Sequence, residues 1–199
     1  MDRYASRIAN ALVGNAPGAA LLELHFPACS ITFTEHVLIS LTGADFEPVS
    51  GNVRIPLWKP VLVPAGSMIS FPKKSWGERC YMAVRGEIGS EKWLGSYSTN
   101  LKVAAGGNQG KRLRNGDELF LRDNPFSASA MNQIRVLPWS VNSADVYDPG
   151  ALFFIPGQEW EWLSEPSQQQ IDGLTEFVID KSSDRMGYAL RHEPLILAV

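Results

Sequence analysis

Between Leu94 and Gly110 the chain reads LGSYSTNLKVAAGGNQG: hydroxyls, one lysine and four glycines between two β-like stretches. Backbone N–H groups exposed at Gly106, Gly107 and Gly110 suit a concave nest that holds an anion or a carboxylate. Ser96, Ser98 and Thr99 supply donors and acceptors there, and Lys102 supplies a charge. The same composition fits a glycine-rich β-turn with surface hydroxyls, and spacing alone leaves both readings open. A phosphate-cradling P-loop is excluded. It needs glycine, four residues, then Gly-Lys-Ser/Thr; Gly110-Lys111 matches, but position 105 is alanine and position 112 arginine.

A second candidate is SSDRMGYAL, residues 182–190. Arg185 can present its planar fork to a carboxylate or phosphate, and Gly187 permits a turn; a solvated turn entering a strand has the same composition. A third, LTGADFEP (41–48), is a polar turn built on Thr42, Gly43 and Asp45, a common kind. His25, His36 and His192 share no metal-ligand pattern, and no Gly-x-Ser-x-Gly elbow marks a nucleophile. Cys29 and Cys80 sit in apolar β-like runs, so buried reduced thiols are expected and zinc is not. Trp160 and Trp162, two apart in a β-like stretch, are expected to share a face.

These residues need a frame, and the pattern supplies one. Asp2 is a plausible N-cap; Ala5, Ile8, Ala9 and Leu12 form one helical stripe, and Gly14 is a natural stop. The period then turns to β. Short branched or aromatic runs lie at 21–26, 30–33, 37–43, 53–58, 67–72 and 79–84, separated by Pro17-Gly18, Pro27, Gly51-Asn52 and Pro64-Ala65-Gly66. Such spacing argues for a barrel or sandwich, with an edge or bulge at Pro56 and Pro60. The expected organisation is a first β-rich part over 1–122, a linker over 123–133, and a second β-rich part over 134–199. Within the last, Ser167 is expected to cap a short helix that ends near Gly173.

The chain of 199 residues carries a net charge of −3, so no basic field invites nucleic acid. No apolar stretch is long enough to span a membrane, and the N-terminus lacks a secretory pattern, so a cytoplasmic location is expected.

Five segments, in this order, carry a resemblance: RIANALVGN (7–15), LTGADF (41–46), RCYMAVRGEI (79–88), LGSYSTNLKVAAGGNQGKRLRNGDEL (94–119) and SSDRMGYAL (182–190). Together they resemble the family of 5-oxoprolinase C subunits, also called allophanate hydrolase subunit 2 or KipA-like and related to carboxyltransferase domains. The chain departs from it where Arg85-Gly86-Glu87-Ile88 replaces the usual Ala-Gly-Gly-Ile. The family's N-terminal Gln-Asp and Gly-Arg segment is also missing, as is its C-terminal Asp-x-Gln-Thr-Thr-Gly-Gly-Tyr-Pro segment.

The resemblance implies a mainly β fold of cyclophilin-like barrel character with a few short helices. It implies a KipI-like partner (the B subunit of 5-oxoprolinase), the enzyme's A subunit, a small-molecule substrate, and ATP with Mg²⁺ at the level of the complex. The implied reaction opens 5-oxoproline to glutamate. Ser96, Ser98, Thr99, Lys102, Gly106, Gly107 and Arg185 are the implied substrate- or phosphate-binding residues; no acid/base set stands out. Two other functions travel with the same resemblance: a KipA-like protein that antagonises a kinase inhibitor, and a carboxyltransferase module in urea breakdown. The chain has no Met-Lys-Met biotin-carrier motif of its own.

Overall fold

Helix α1 spans Arg3–Val13. Asp2 caps it, its side chain accepting from the Ala5 N–H at 2.9 Å, and Gly14 closes it in the left-handed region. The buried face is Ala5, Ala9, Asn10, Leu12 and Val13, with Ile8 half-buried. Asn10 is tolerated there because its amide donates to the Ala19 carbonyl at 3.0 Å. The computed structural model describes residues 2–126, 131–144, 146–147, 154–173, 178–183, 187–191 and 193–198.

The strands are β1 Leu22–Leu24, β2 Ile31–Thr32, β3 Val37–Asp45, β4 Val49–Ser50, β5 Val53–Arg54, β6 Pro60–Val63, β7 Met68–Ile69, β8 Trp76–Val84, β9 Arg135–Val136, β10 Val178–Ile179 and β11 Leu190–Arg191. With two α-helices besides among the described residues, the chain is mainly β. Five strands form an antiparallel sheet in the order β1-β8-β3-β6-β9. Pro60 opens β6, where its missing N–H costs least. Ribbons β2–β7 and β4–β5 are joined by a Val49–Ser70 bridge.

Strand β3 is buried on both faces from Val37 to Ala44, so its apolar residues do not alternate with exposed polar ones, and its only buried hydroxyls are Ser40 and Thr42. Val37, Ile39 and Leu41 enter the main core with Val61, Val63, Ile69, Cys80, Met82 and Val84. The opposite face packs Leu38, Tyr81 and Ala83 against Ala5, Ala9 and Val13 of α1. Its two hydroxyls reach the helix: Ser40 Oγ donates to the Ala9 carbonyl at 2.6 Å and Thr42 Oγ1 to that of Ala5 at 2.8 Å. Both polar groups are thereby satisfied in an apolar layer.

At the end of β8 the chain leaves the sheet and returns. Gly89 N–H donates to the Phe120 carbonyl (2.8 Å), Arg122 N–H to Glu87 (2.9 Å) and Asp123 N–H to Gly86 (3.1 Å), which makes residues 86–89 and 120–123 an antiparallel stem. Arg85, the first residue of the Arg-Gly-Glu-Ile departure, donates to the carbonyls of Val13 (3.2 Å) and Gly14. It places a cation on the C-terminus of α1, where the orphan carbonyls and the dipole favour one. Asn15 ties the same corner, its amide donating to Val84 (2.8 Å) and its oxygen accepting from Gly86 N–H (3.2 Å).

The start of the expected linker is anchored: the Asn124 amide donates to Glu35 Oε2 (2.6 Å) and to the His36 carbonyl (3.2 Å). Beyond it β9 pairs with β6, so residues 135–136 belong to the first sheet. Two compact units result, Asp2–Val146 and Tyr147–Val199. In the second, helix α2 spans Glu165–Asp172 with Ser164, not Ser167, at its N-cap. Ser167 lies one turn in, buried, its hydroxyl accepting from Ile196 N–H at 2.9 Å. Gly173 closes α2 as the sequence suggests. Trp160 and Trp162 lie on a 3-10 turn, Gln158–Trp162, so the strand alternation expected of them does not apply. Among the described residues no helix is long and apolar enough to cross a membrane.

The two cysteines divide. Cys80 is fully buried, and burial pushes its thiol up to about 12. Cys29, expected inside, is exposed: it lies between β1 and β2, in a connection whose neighbours Phe26, Pro27 and Ser30 are exposed too. At pH 8 an aromatic disulfide reagent is therefore expected to titrate one thiol in the native protein and two after denaturation. Two fast-reacting native thiols would contradict the burial of Cys80.

Candidate functional site

Beyond its stem the excursion closes on itself by local hydrogen bonds. Trp93 and Ser96 exchange backbone bonds (2.9 and 3.0 Å) around Leu94 and Gly95, both at positive φ. Leu94, at the tip, is 85% exposed. Asn100 and Ala105 exchange a second pair (2.8 and 3.1 Å). Inside that turn Asn100 Oδ1 accepts from the N–H groups of Lys102 (3.1 Å) and Val103 (3.4 Å), fixing the backbone that carries Lys102 at an exposed tip.

Six of the seven sequence-derived site residues lie on this excursion. Gly106 and Gly107 pack against Ser98 and Thr99: a Cβ on Gly106 would lie 2.9 Å from the Ser98 carbonyl oxygen, and one on Gly107 would lie 2.1 Å from Thr99 Oγ1. The hydroxyls are partly committed to the loop itself. Ser96 Oγ accepts from Ser98 N–H and Thr99 Oγ1 from Asn108 N–H, each at 3.1 Å. They hold the loop's shape and leave Lys102 to supply charge. The seventh residue, Arg185, lies outside the described residues. Its flanks form a hairpin in which Ser183 Oγ donates to the Ala189 carbonyl (3.1 Å) and accepts from Ala189 N–H (2.9 Å).

Other groups emerge only in three dimensions. Lys92 Nζ lies 4.9 Å and Arg122 Cζ 5.5 Å from the centre of the Tyr97 ring, a cation–π arrangement. Arg122 also donates to the Ser90 carbonyl at 2.8 Å, while Ser90 Oγ donates to that of Gly107 at 3.1 Å. This chain of contacts connects the stem to the glycine pair. Next to it, Leu101, Gly110, Lys111, Arg112, Leu113 and Arg114 line a shallow surface depression. A charge scan of the sequence would have found that basic run.

The polar turn at Asp45 is an ion network. Arg54 Nη2 lies 2.7 Å from both Asp45 oxygens, and Lys73 Nζ lies 3.3 Å from Glu47. The Ser75 hydroxyl, aided by Lys73 and Arg54, holds the Glu47 carboxyl below the usual carboxylate range. His25 lies 3.2 Å from Glu23 and 2.7 Å from Arg79, and His36 Nδ1 accepts from Ala65 N–H at 3.1 Å. His192 lies outside the described residues.

A family model described as carboxyltransferase domain, subdomain A and B, matches residues 1–198. The C subunit of the Escherichia coli 5-oxoprolinase is 30% identical over 98% of this chain and 60% of its own length. The urea amidolyase of Saccharomyces cerevisiae is 40% identical over 65% of this chain, but over only 7% of its own length. The chain thus spans about three-fifths of the one relative and a small part of the other. Among solved structures, the K. lactis urea amidolyase superposes with a TM-score of 0.81 at 25% identity, covering 100% of this chain and 12% of that one.

Proposed function

We infer the function from one premise: the chain belongs to the carboxyltransferase domain family, subdomain A and B. We propose that it is the C subunit of an ATP-dependent 5-oxoprolinase, working with a KipI-like B subunit and with the enzyme's A subunit. One observation carries this reading: the match to the C subunit of the E. coli 5-oxoprolinase runs over 98% of the chain, so both compact units take part in it.

The chemistry asks for what the excursion has. A lactam is a resonance-stabilised amide that water attacks slowly. Transfer of a phosphoryl group to its oxygen makes the carbon electrophilic. Water then adds, the ring C–N bond breaks to leave an acyl phosphate, and a second water releases phosphate, so that 5-oxoproline, ATP and two waters become glutamate, ADP and phosphate. Such a site needs cations and oriented donors where negative charge gathers. Lys102 supplies a cation on a turn fixed by Asn100, and the Thr99–Asn108 and Ser90–Gly107 bonds hold the loop around it. Among the described residues no three His, Cys, Asp or Glu side chains converge, so we assign Mg²⁺ no ligand in this chain.

Co-expression with the partner subunits, followed by an assay for 5-oxoproline-dependent ADP release, tests the proposal. An intact complex that releases no ADP overturns it. In the active complex, Lys102→Ala is expected to lower turnover at least tenfold, about 1.4 kcal/mol, and unchanged turnover removes Lys102 from the site.

A second reading, a carboxyltransferase module of the urea carboxylase type, is supported by the TM-score of 0.81 to the K. lactis urea amidolyase over the whole chain. Such a module would work with a biotin carrier on another segment or chain. Carboxybiotin-dependent carboxylation of urea, without 5-oxoproline-dependent release of ADP, would favour it.

A further inference from the structure

We propose that the depression lined by Lys111, Arg112 and Arg114, beside the Lys102 turn, is a binding site for a small polyphosphate-type anion. From Lys92 to Gly116 the sequence has five Lys and Arg residues and no Asp or Glu, in a chain whose net charge is −3. The depression takes three of the five from four consecutive residues. All three side chains are exposed, and among the described residues none is within ion-pair distance of a carboxylate. Five cations elsewhere in the molecule do have carboxylate partners: Arg54 with Asp45, Lys73 with Glu47, Lys74 with Glu78, Arg79 with Glu23, Arg191 with Asp180.

Three like charges crowded on one surface repel one another, and a multivalent anion relieves that repulsion. The backbone beneath them is fixed: Gly110 N–H donates to Gly106 (2.8 Å), Lys111 N–H to Asn108 (2.8 Å), and Arg114 N–H to Asp117 Oδ2 (2.8 Å). The cations are thus presented from a shaped loop rather than a free tail. Two arginine forks and an ammonium match the several oxygens of linked phosphates better than a single carboxylate. Leu101 and Leu113, which also line the depression, offer apolar surface to whatever group the phosphates carry.

The test needs no assumption about the lactam reaction. Titration calorimetry of the isolated chain with inorganic tripolyphosphate, and separately with citrate, measures the site directly. The expected result is saturable tripolyphosphate binding that is at least tenfold tighter than citrate binding. It should weaken at least tenfold in the Lys111→Ala/Arg112→Ala/Arg114→Ala variant and weaken as added salt screens exposed charges. Lys181→Ala, which removes an exposed cation of the other compact unit, should leave it within threefold. The variant's melting curve should match that of the parent, because all three side chains are exposed. No binding by the parent chain, equal binding of citrate, or unchanged binding in the triple variant each overturns the proposal. Equal citrate binding would instead mark a general anion-attracting surface of the kind that docks an acidic protein.

Discussion

Gly86→Ala is expected to destabilise the chain by about 3 kcal/mol or more, an unusually large effect for adding one methyl group. Gly86 sits at φ +95° in the stem, and a Cβ there would lie 1.5 Å from the Asp123 carbonyl oxygen. That atom is backbone, so no side-chain rotation relieves the overlap. The stem must open, and its bonds between 86–89 and 120–123 go with it. For a domain of this size each kcal/mol lowers the melting temperature by about 2–4 °C, so a fall of roughly 6–12 °C is expected. Gly18→Ala is the matched control: nothing lies within 4 Å of its Cβ and its φ is unexceptional. It should stay within about 0.5 kcal/mol of the parent. Equal melting temperatures for the two variants would remove the steric argument.

The second large effect falls on activity. Gly110 has φ +69°, and a Cβ there would lie 1.9 Å from the Ala104 carbonyl carbon and 2.2 Å from its oxygen. Gly110→Ala therefore forces apart the two arms that carry Lys102 and Lys111. Displacing a binding group by about 1 Å costs on the order of a hundredfold in rate, so ADP release by the assembled complex should fall about that far. Residues 94–110 contribute nothing to either apolar cluster. The melting temperature should therefore stay within about 3 °C of the parent, on the scaling used above. Full activity with a normal melting curve would place the loop away from the chemistry.

Local signals were the legible ones. The Asp2 cap, the Gly14 stop and the Gly51-Asn52 turn are each short-range chemistry, and each is found where the residues suggest. Strand β3 is legible as a strand because Val37, Leu38, Ile39 and Leu41 crowd branched apolar side chains into five residues, but its position between β8 and β6 is not, since partner choice depends on residues far away in sequence. Ser167 misled because Ser164, three residues earlier, is an equally good cap, and a tertiary bond to Ile196 draws Ser167 inside. Cys29 misled because apolar neighbours in sequence are not always apolar neighbours in space.

The same division holds in the candidate site. The glycines and hydroxyls of 94–110 point to a loop, and the structure has one there. That Ser96 and Thr99 would spend hydrogen-bonding capacity on the loop's own backbone could not be read from composition. Nor could the placing of Lys92 and Arg122 on Tyr97, since Arg122 lies 25 residues from the ring it meets.

Strand β3, buried on both faces, also sets the order in which the chain can safely be made. As synthesis proceeds, α1 is available to shield one face from the outset. The partner on the β8 edge arrives only when residues 76–84 have left the ribosome, some thirty residues after β3 itself. Until then the nascent chain presents a long strand, uncharged from Val37 to Ala44, with an open hydrogen-bonding edge, the kind of surface on which chains associate with one another. A ribosome that stalls in that interval would leave a species suited to a chaperone, and the ion pairs of the Asp45–Arg54 turn, emerging just behind the strand, are the first local charge to guard its end.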